Sequence, residues 1–133
     1  MNLTDFEVDP DEVSKLLGIA PDFIWRKGDL ILETARSYSE NGWRLVSSLP
    51  VSSSVEEHVL NVLDRIEPAA ELLSHLKPLE VEVSCVVYYY DYTPVLGLSH
   101  ETIRRLARLG ASLDYDLYDM GSEENSESVE TWA

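Results

Sequence analysis

Basic side chains are scarce in this chain of 133 residues, which has ten Lys and Arg against 25 Asp and Glu and a formal net charge of −15. The imbalance extends beyond the carboxyl-terminal segment, because removing residues 122–133 takes away four Glu and still leaves 21 acids against ten bases. The electric field of such a protein repels nucleic acids and anionic membranes and attracts cationic surfaces. The composition therefore argues against nucleic-acid and membrane partners and favours a basic protein partner.

Several other features are also missing. The single cysteine, Cys85, excludes an internal disulfide. No uncharged apolar run approaches the ~20 residues of a membrane-spanning helix, and the amino-terminal residues do not have the pattern of a secretory signal. The six glycines form neither G-x-G-x-x-G nor G-x-x-x-x-G-K, so the common phosphate-binding loops are excluded. These absences predict a reduced, cytoplasmic protein.

Isolated reactive residues give little support to catalysis. Cys85 lies in the apolar run VEVSCVVYYY, where burial disfavours the thiolate, and no serine occupies a G-x-S-x-G turn. We interpret His58 as a surface residue and the basic cluster at residues 104–108 as structural, with Glu101 pairing with Arg105. No catalytic residue and no cofactor is predicted from these groups.

The amino-terminal segment predicts a strand followed by a helix. Side chains alternate in polarity over residues 4–8, which places Asp5 and Glu7 on the polar side of a strand. The helix should begin after the capping residue Asp9 and end at Gly18, a residue type suited to the left-handed conformation after a helix.

The next segment predicts a β-hairpin. Residues 20–29 have the composition of a loop, and strand-like segments follow over residues 30–38 and 43–49. Between them lies Asn41-Gly42, the dipeptide that most strongly favours a two-residue hairpin turn.

The carboxyl-terminal half predicts two helical regions and two strands. A capping box starting at Ser54 opens a long helix, and Pro68 should kink it or begin a fresh helix. A long strand over residues 80–92, a short helix capped by Ser99 and a final strand over residues 112–120 follow.

Together these elements predict one α+β domain over residues 1–120, with a single mixed or antiparallel sheet of about five strands and helices packed on one face. Residues 121–133 are acidic and without periodicity, which predicts a disordered tail. Trp132 in that tail is either an anchor for a partner or a passively tolerated aromatic residue.

Helices on one side of the sheet would leave alternate strand residues together on the other, where most are acidic or phenolic. The candidate binding residues are Glu82, Tyr88, Tyr90, Tyr92, Asp114, Asp116 and Tyr118. Tyrosine offers rigid contact area with a polar tip, and carboxylates pair with Lys and Arg of a partner. The alternative interpretation is the ordinary solvated face of a sheet in which tyrosine is a common strand former.

Several motifs resemble a bacterial family known as domain of unknown function 4279. The main one is LSHETIRRLARLGASLDYDLYDM over residues 98–120, and weaker landmarks are KLLGIAP, the turn at residues 27–29, Trp43 with the serines after it, and VEEHV. The resemblance spans nearly the whole chain except the acidic tail and implies a small bacterial α+β domain. The family label carries no activity, so the resemblance transfers no catalytic residue.

Three hypotheses for function follow. The leading one is a non-enzymatic binding protein, such as an inhibitor or immunity-type protein that neutralises a basic enzyme. The second is a metal-dependent hydrolase in which Asp114 and Asp116 hold a cation such as Mg²⁺, with Glu82 as a third ligand. The third is a homo-oligomeric structural module, such as a homodimer, which like-charge repulsion disfavours.

Overall fold

In the computed structural model, which describes residues 1–121 and 129–133, helices and strands form an α+β fold as the sequence predicts. The α-helices are α1 (Pro10–Leu17), α2 (Val55–Ile66) and α3 (His100–Arg108), and a 3-10 helix covers Glu67–Leu76. The strands are β1 (Asn2–Thr4), β2 (Phe23–Trp25), β3 (Gly42–Arg44), β4 (Glu80–Tyr89), β5 (Ala111–Asp119) and β6 (Glu130–Trp132).

The strands form one mixed sheet whose main order is β2-β3-β1-β4-β5. β4 and β5 run parallel, and the other neighbours are antiparallel. β1 pairs with residues 80–82 of β4, and β6 pairs with residues 86–88 of the same strand. The predicted mixed sheet with helices on one face is confirmed, and β6 adds a strand that the sequence did not predict.

Local capping residues set the helix boundaries. The Asp9 carboxylate accepts a hydrogen bond from the amide two residues later at 2.9 Å, and Gly18 ends α1 with φ +67°. Ser54 and Glu57 form the reciprocal capping box of α2, and Ser99 caps α3. Each cap satisfies backbone groups that the helix itself leaves unpaired, so these predicted boundaries are confirmed.

The core lies between one face of the sheet and the helices. Alternate residues of β4, from Val81 to Val87, point into it and are buried. α2 contributes an apolar stripe with helical spacing, which consists of Val55, Val59, Val62, Leu63 and Ile66. After α2 the chain continues through Pro68 as the 3-10 helix, where Leu73 and Leu76 are also buried. The fresh helical segment predicted at this proline is therefore present.

The predicted strand over residues 4–8 is wrong in position and phase. β1 covers Asn2–Thr4, with Leu3 fully buried, and Asp5 ends the strand by adopting φ +65°. A left-handed residue breaks the alternation of side chains, so Asp5 and Glu7 are not part of a strand face.

The predicted hairpin at Asn41-Gly42 is also wrong. β2 lies inside the segment predicted as a loop, and residues 26–41 connect it to β3 with only an isolated bridge between Leu30 and Ser37 in the predicted strand. Asn41 holds this connection by accepting a hydrogen bond from the Lys27 amide at 2.9 Å. Gly42 lies within β3, where the Trp25 ring covers its Cα.

Part of the predicted disordered tail is ordered. Residues 122–128 lie outside the described residues, but Glu130–Trp132 form β6. The Thr131 amide donates to the Val51 carbonyl at 2.8 Å, and the Ser47 amide donates to the Ala133 carbonyl at 2.8 Å. These backbone bonds fix the segment between β4 and the loop before α2, so for residues 130–132 the structure corrects the expectation of disorder.

Arg105 connects α3 to the end of α2. Its Nε lies 2.7 Å from Glu67 Oε1 and its Nη2 lies 2.6 Å from Asp64 Oδ1, and these hydrogen bonds raise the pKa of the guanidinium. Glu101 pairs instead with Arg104 at 3.4 Å. The pairing predicted for Glu101 is therefore wrong, while the structural role predicted for the cluster holds for Arg105.

His58 is a buried core residue, which corrects its interpretation as a surface residue. It is 1% exposed, and its Nδ1 lies 2.6 Å from Ser47 Oγ. In the described part of the chain Nε2 has no hydrogen-bond partner. Burial lowers the pKa of His58 from its ordinary 6.5, and the neighbouring Glu57 carboxylate opposes this effect. The neutral imidazole is the form that fits the core.

We expect stability to fall as the pH drops below 6.5, because the unfolded chain then binds a proton that the native His58 resists. The melting temperature of the parent should decrease more between pH 7.5 and pH 5.5 than that of His58→Gln, which does not titrate. The hydrogen bond from Arg26 lowers the pKa of Asp9 to about 2, so the loss of its stabilising charge occurs at lower pH. Equal pH dependence in parent and variant would contradict this assignment.

Candidate binding face

The sheet has a helix-free side, called here the open face. Residues directly paired across neighbouring strands point to the same side of a sheet, and the partners of Leu3, Trp43 and Val81 belong to the core. The open face therefore consists of the alternate residues Asn2, Thr4, Phe23, Trp25, Gly42, Arg44, Glu80, Glu82, Ser84, Val86, Tyr88, Ser112, Asp114, Asp116, Tyr118, Glu130 and Trp132.

Most of the predicted binding residues lie on this face. They are Glu82 and Tyr88 from β4 and Asp114, Asp116 and Tyr118 from β5.

Tyr90 and Tyr92 do not belong to this set. β4 ends at Tyr89, and Asp91 adopts φ +52°, which turns the chain out of the sheet. Tyr92 lies exposed in the connection to α3. These two tyrosines were predicted to lie on the face because the alternation of side chains in β4 was taken to continue beyond this turn.

Tyr88 and Tyr118 form a stacked aromatic pair near the carboxyl-terminal ends of β4 and β5, in what is called here the β4–β5 half of the face. They are paired in the parallel register, and their rings stack with centroids 5.0 Å apart and an angle of 18° between planes. Tyr118 remains 49% exposed. Such a pair presents apolar area whose side chains are already ordered, which reduces the entropy lost on binding.

Carboxylates lie beside this pair. Asp116 is paired with Val86, and Asp114 with Ser84, so the two acids follow one another along β5 on the side of the open face. Both are exposed to solvent. This half of the face can therefore attract and pair with cationic groups.

The β2–β3 end of the face has a different character. Arg44 donates from Nε to Asn2 Oδ1 at 2.7 Å, and its guanidinium carbon lies 5.1 Å from the Trp25 ring centroid and 5.9 Å from that of Phe23. Trp25 also stacks on Tyr38 at 5.3 Å. These residues are not evident from the sequence, because a strand of three residues gives too short an alternation to be recognised.

A cavity of about 320 Å³ opens where the β2–β3 end of the face meets the β4–β5 half. Arg44, Ser84, Val86, Asp116 and Trp132 border it. Its size is at the lower end of ligand pockets, which hold about 300–1,000 Å³. With an indole, a valine and a carboxylate on its walls, it can receive a long side chain. Trp132, which the sequence left without a defined role, thus becomes part of the face.

A second cavity of about 460 Å³ lies at the amino-terminal end of β4 and β5. Its border includes Glu40, Glu80, Glu82 and Ser112. Three carboxylates around one depression add to the negative character of the β4–β5 half.

The structure does not bring Glu82 together with Asp114 and Asp116 as a three-ligand metal site. Glu82 is paired with Ser112, and Asp114 and Asp116 lie further along β5. Within residues 1–121 and 129–133, no group of three or more His, Cys, Asp or Glu is arranged to hold a metal ion.

Cys85 is fully buried on the core side of β4, and burial raises the pKa of its thiol to about 11. The predicted packing of this cysteine is confirmed.

No helix in the described residues is long and apolar enough to cross a bilayer.

A family model described as domain of unknown function (DUF4279) matches residues 1–120. No curated protein and no solved structure matches the chain.

Proposed function

Because the chain belongs to the DUF4279 family, whose description states no activity, we propose a function from the open face: the protein binds a basic protein partner there, as an inhibitor or immunity-type protein does. The observation that carries this proposal is that the stacked pair of Tyr88 and Tyr118 is followed along β5 by Asp116 and then Asp114, on the helix-free side of the sheet. An aromatic anchor with exposed carboxylates along the same strand complements a surface that carries both apolar and cationic groups.

The distribution of charge predicts how the partner lies on the face. Arg44 is held at the β2–β3 end, while Glu82, Asp114 and Asp116 lie in the β4–β5 half. Cationic residues of the partner should therefore contact β4 and β5. The negative field should increase the association rate, and added salt should weaken this effect by screening.

The experiment uses a basic protein captured at low salt from the source organism and then purified. Asp114→Lys combined with Asp116→Lys should weaken its binding at least about tenfold, or about 1.4 kcal/mol, and should lower the association rate. Titration calorimetry gives the affinity, and stopped-flow measurements at low and high salt give the rates.

The matched control is Glu71→Lys combined with Glu101→Lys. Both glutamates are exposed on helices of the opposite layer, and this double variant changes the net charge by the same amount. Its affinity should remain close to that of the parent. Equal losses in both double variants, salt-independent association, or no binding to any basic protein would refute the proposal.

A further inference from the structure

β5 is the last strand in the sheet order, and in residues 1–121 and 129–133 no other strand pairs with its outer edge. The strand is nine residues long, and its register with β4 runs without interruption from Ala111 to Asp119. An edge strand presents a row of backbone donors and acceptors that can pair with another extended chain.

The backbone identifies which amides face outward. The Met120 amide donates to the Tyr89 carbonyl at 2.9 Å, and so points toward β4. Because amide directions alternate along a regular strand, the amides of Leu113, Tyr115 and Leu117 point away from β4. These three amides form the row that an added strand would meet.

The side chains along this edge alternate in chemistry. Asp114 and Asp116 lie on the open face, and Leu113 and Leu117 lie on the opposite side. Leu117 is 47% exposed, and Met120 beyond the end of the strand is similarly exposed. The edge therefore combines an acidic side with an apolar side.

We propose that the basic partner docks by strand addition, with an extended segment that alternates basic and apolar residues pairing along the β5 edge. This inference rests on the proposed function and states its binding mode. The basic residues of the segment would face Asp114 and Asp116, and its apolar residues would cover Leu113 and Leu117. In such complexes main-chain hydrogen bonds provide affinity and alternate side chains provide specificity.

Charge decides between this occupant and a second copy of the chain. Two β5 edges placed against each other would bring the carboxylates of Asp114 and Asp116 toward their own copies. Like charges opposite one another destabilise strand pairing, whereas lysine or arginine at those positions stabilises it.

The probe is a synthetic peptide of alternating lysine and valine, and the control peptide has the same composition with all lysines before all valines. The alternating peptide should bind at least about tenfold more tightly, because only it presents one residue type to each side of the strand. Amide hydrogen exchange by NMR should slow at least about tenfold at Leu113 and Leu117 when this peptide is bound.

A pair of variants separates backbone from side-chain contributions. Leu117→Pro removes one outward amide, and Leu117→Ala removes most of the side chain but keeps that amide. If Leu117→Pro remains folded by circular dichroism, it should weaken peptide binding more than Leu117→Ala does. If it unfolds, the hydrogen-exchange measurement on the unmodified protein shows instead whether the backbone of β5 pairs with the peptide.

The outcomes distinguish the two proposals. If a basic protein binds through Asp114 and Asp116 while the Leu113 and Leu117 amides exchange at unchanged rates, strand addition is overturned and the proposed function stands. If these amides are protected without peptide and the protein is dimeric, a second copy occupies the edge and the inference is overturned. If neither a basic protein nor the peptide binds, both proposals fail.

Discussion

Replacing Trp43 by alanine should lower the free energy of unfolding by about 3–5 kcal/mol, the range for deletion of a buried aromatic side chain. Trp43 is 0% exposed and is paired with both Leu3 of β1 and Ile24 of β2. Its Nε1 donates to Ser14 Oγ at 2.9 Å, which joins β3 to α1. Urea unfolding followed by circular dichroism measures the loss.

Trp43→Phe is the matched variant, because it keeps a large ring and removes the indole donor. It should be less destabilising than Trp43→Ala, and Ser14→Ala should also be destabilising because it leaves the buried Nε1 without its partner. A loss of less than about 1 kcal/mol for Trp43→Ala would show that the site can be refilled, contrary to the packing described.

Replacing Gly42 by alanine should lower the free energy of unfolding by about 1–3 kcal/mol or more, as overpacking of a filled site does. A Cβ on Gly42 would lie 1.9 Å from both Cε2 and Cζ2 of Trp25. The Trp25 ring stacks on Tyr38 and contacts the Arg44 guanidinium, so a shift of the ring to admit the methyl group would disturb these contacts. Thermal and urea unfolding of the variant provide the measurement.

Gly97→Ala is the control for this experiment. A Cβ at Gly97 meets no atom within 4 Å, and its backbone is not in the left-handed region. Its effect should stay within about 0.5 kcal/mol, the range of surface substitutions. If the two alanine variants were equally stable, the close approach of Trp25 to β3 would be disproved.

The features that the sequence predicted are those controlled by neighbouring residues. The Ser54 capping box, the Gly18 helix end and the alternation of β4 each depend on side chains within a few positions. Their physical causes are local hydrogen bonds and the two-residue period of a strand, so the pattern is present in the sequence itself.

The features that were missed depend on contacts distant along the chain. Asn41-Gly42 has the composition of a turn, yet the glycine is required by the ring of Trp25 and the asparagine bonds to the backbone at Lys27. The three residues of β6 have no periodicity of their own and are ordered by pairing with β4. Tertiary packing therefore determined these conformations, although the local sequence favoured others.

The candidate site divides in the same way. The site residues of β4 and β5 were predicted from the alternation of side chains in two long strands, and they lie together on the open face. The open face also includes Arg44, Trp25 and Trp132, which lie on strands of only three residues. The position of such short strands in the sheet depends on their register with neighbouring strands. A sequence pattern therefore predicted the acidic and phenolic half of the face, and only the structure could add the rest.

The pairing of β1 with β4 also bears on how the protein forms during synthesis. Asn2 lies opposite Glu82, so β1 is synthesised well before the segment of β4 that pairs with it. Pairings between distant segments slow folding because a large loop closes before contacts compensate for it. In the nascent chain β1 can therefore pair with β3 first, and its edge toward β4 should stay unpaired until residues 80–82 emerge.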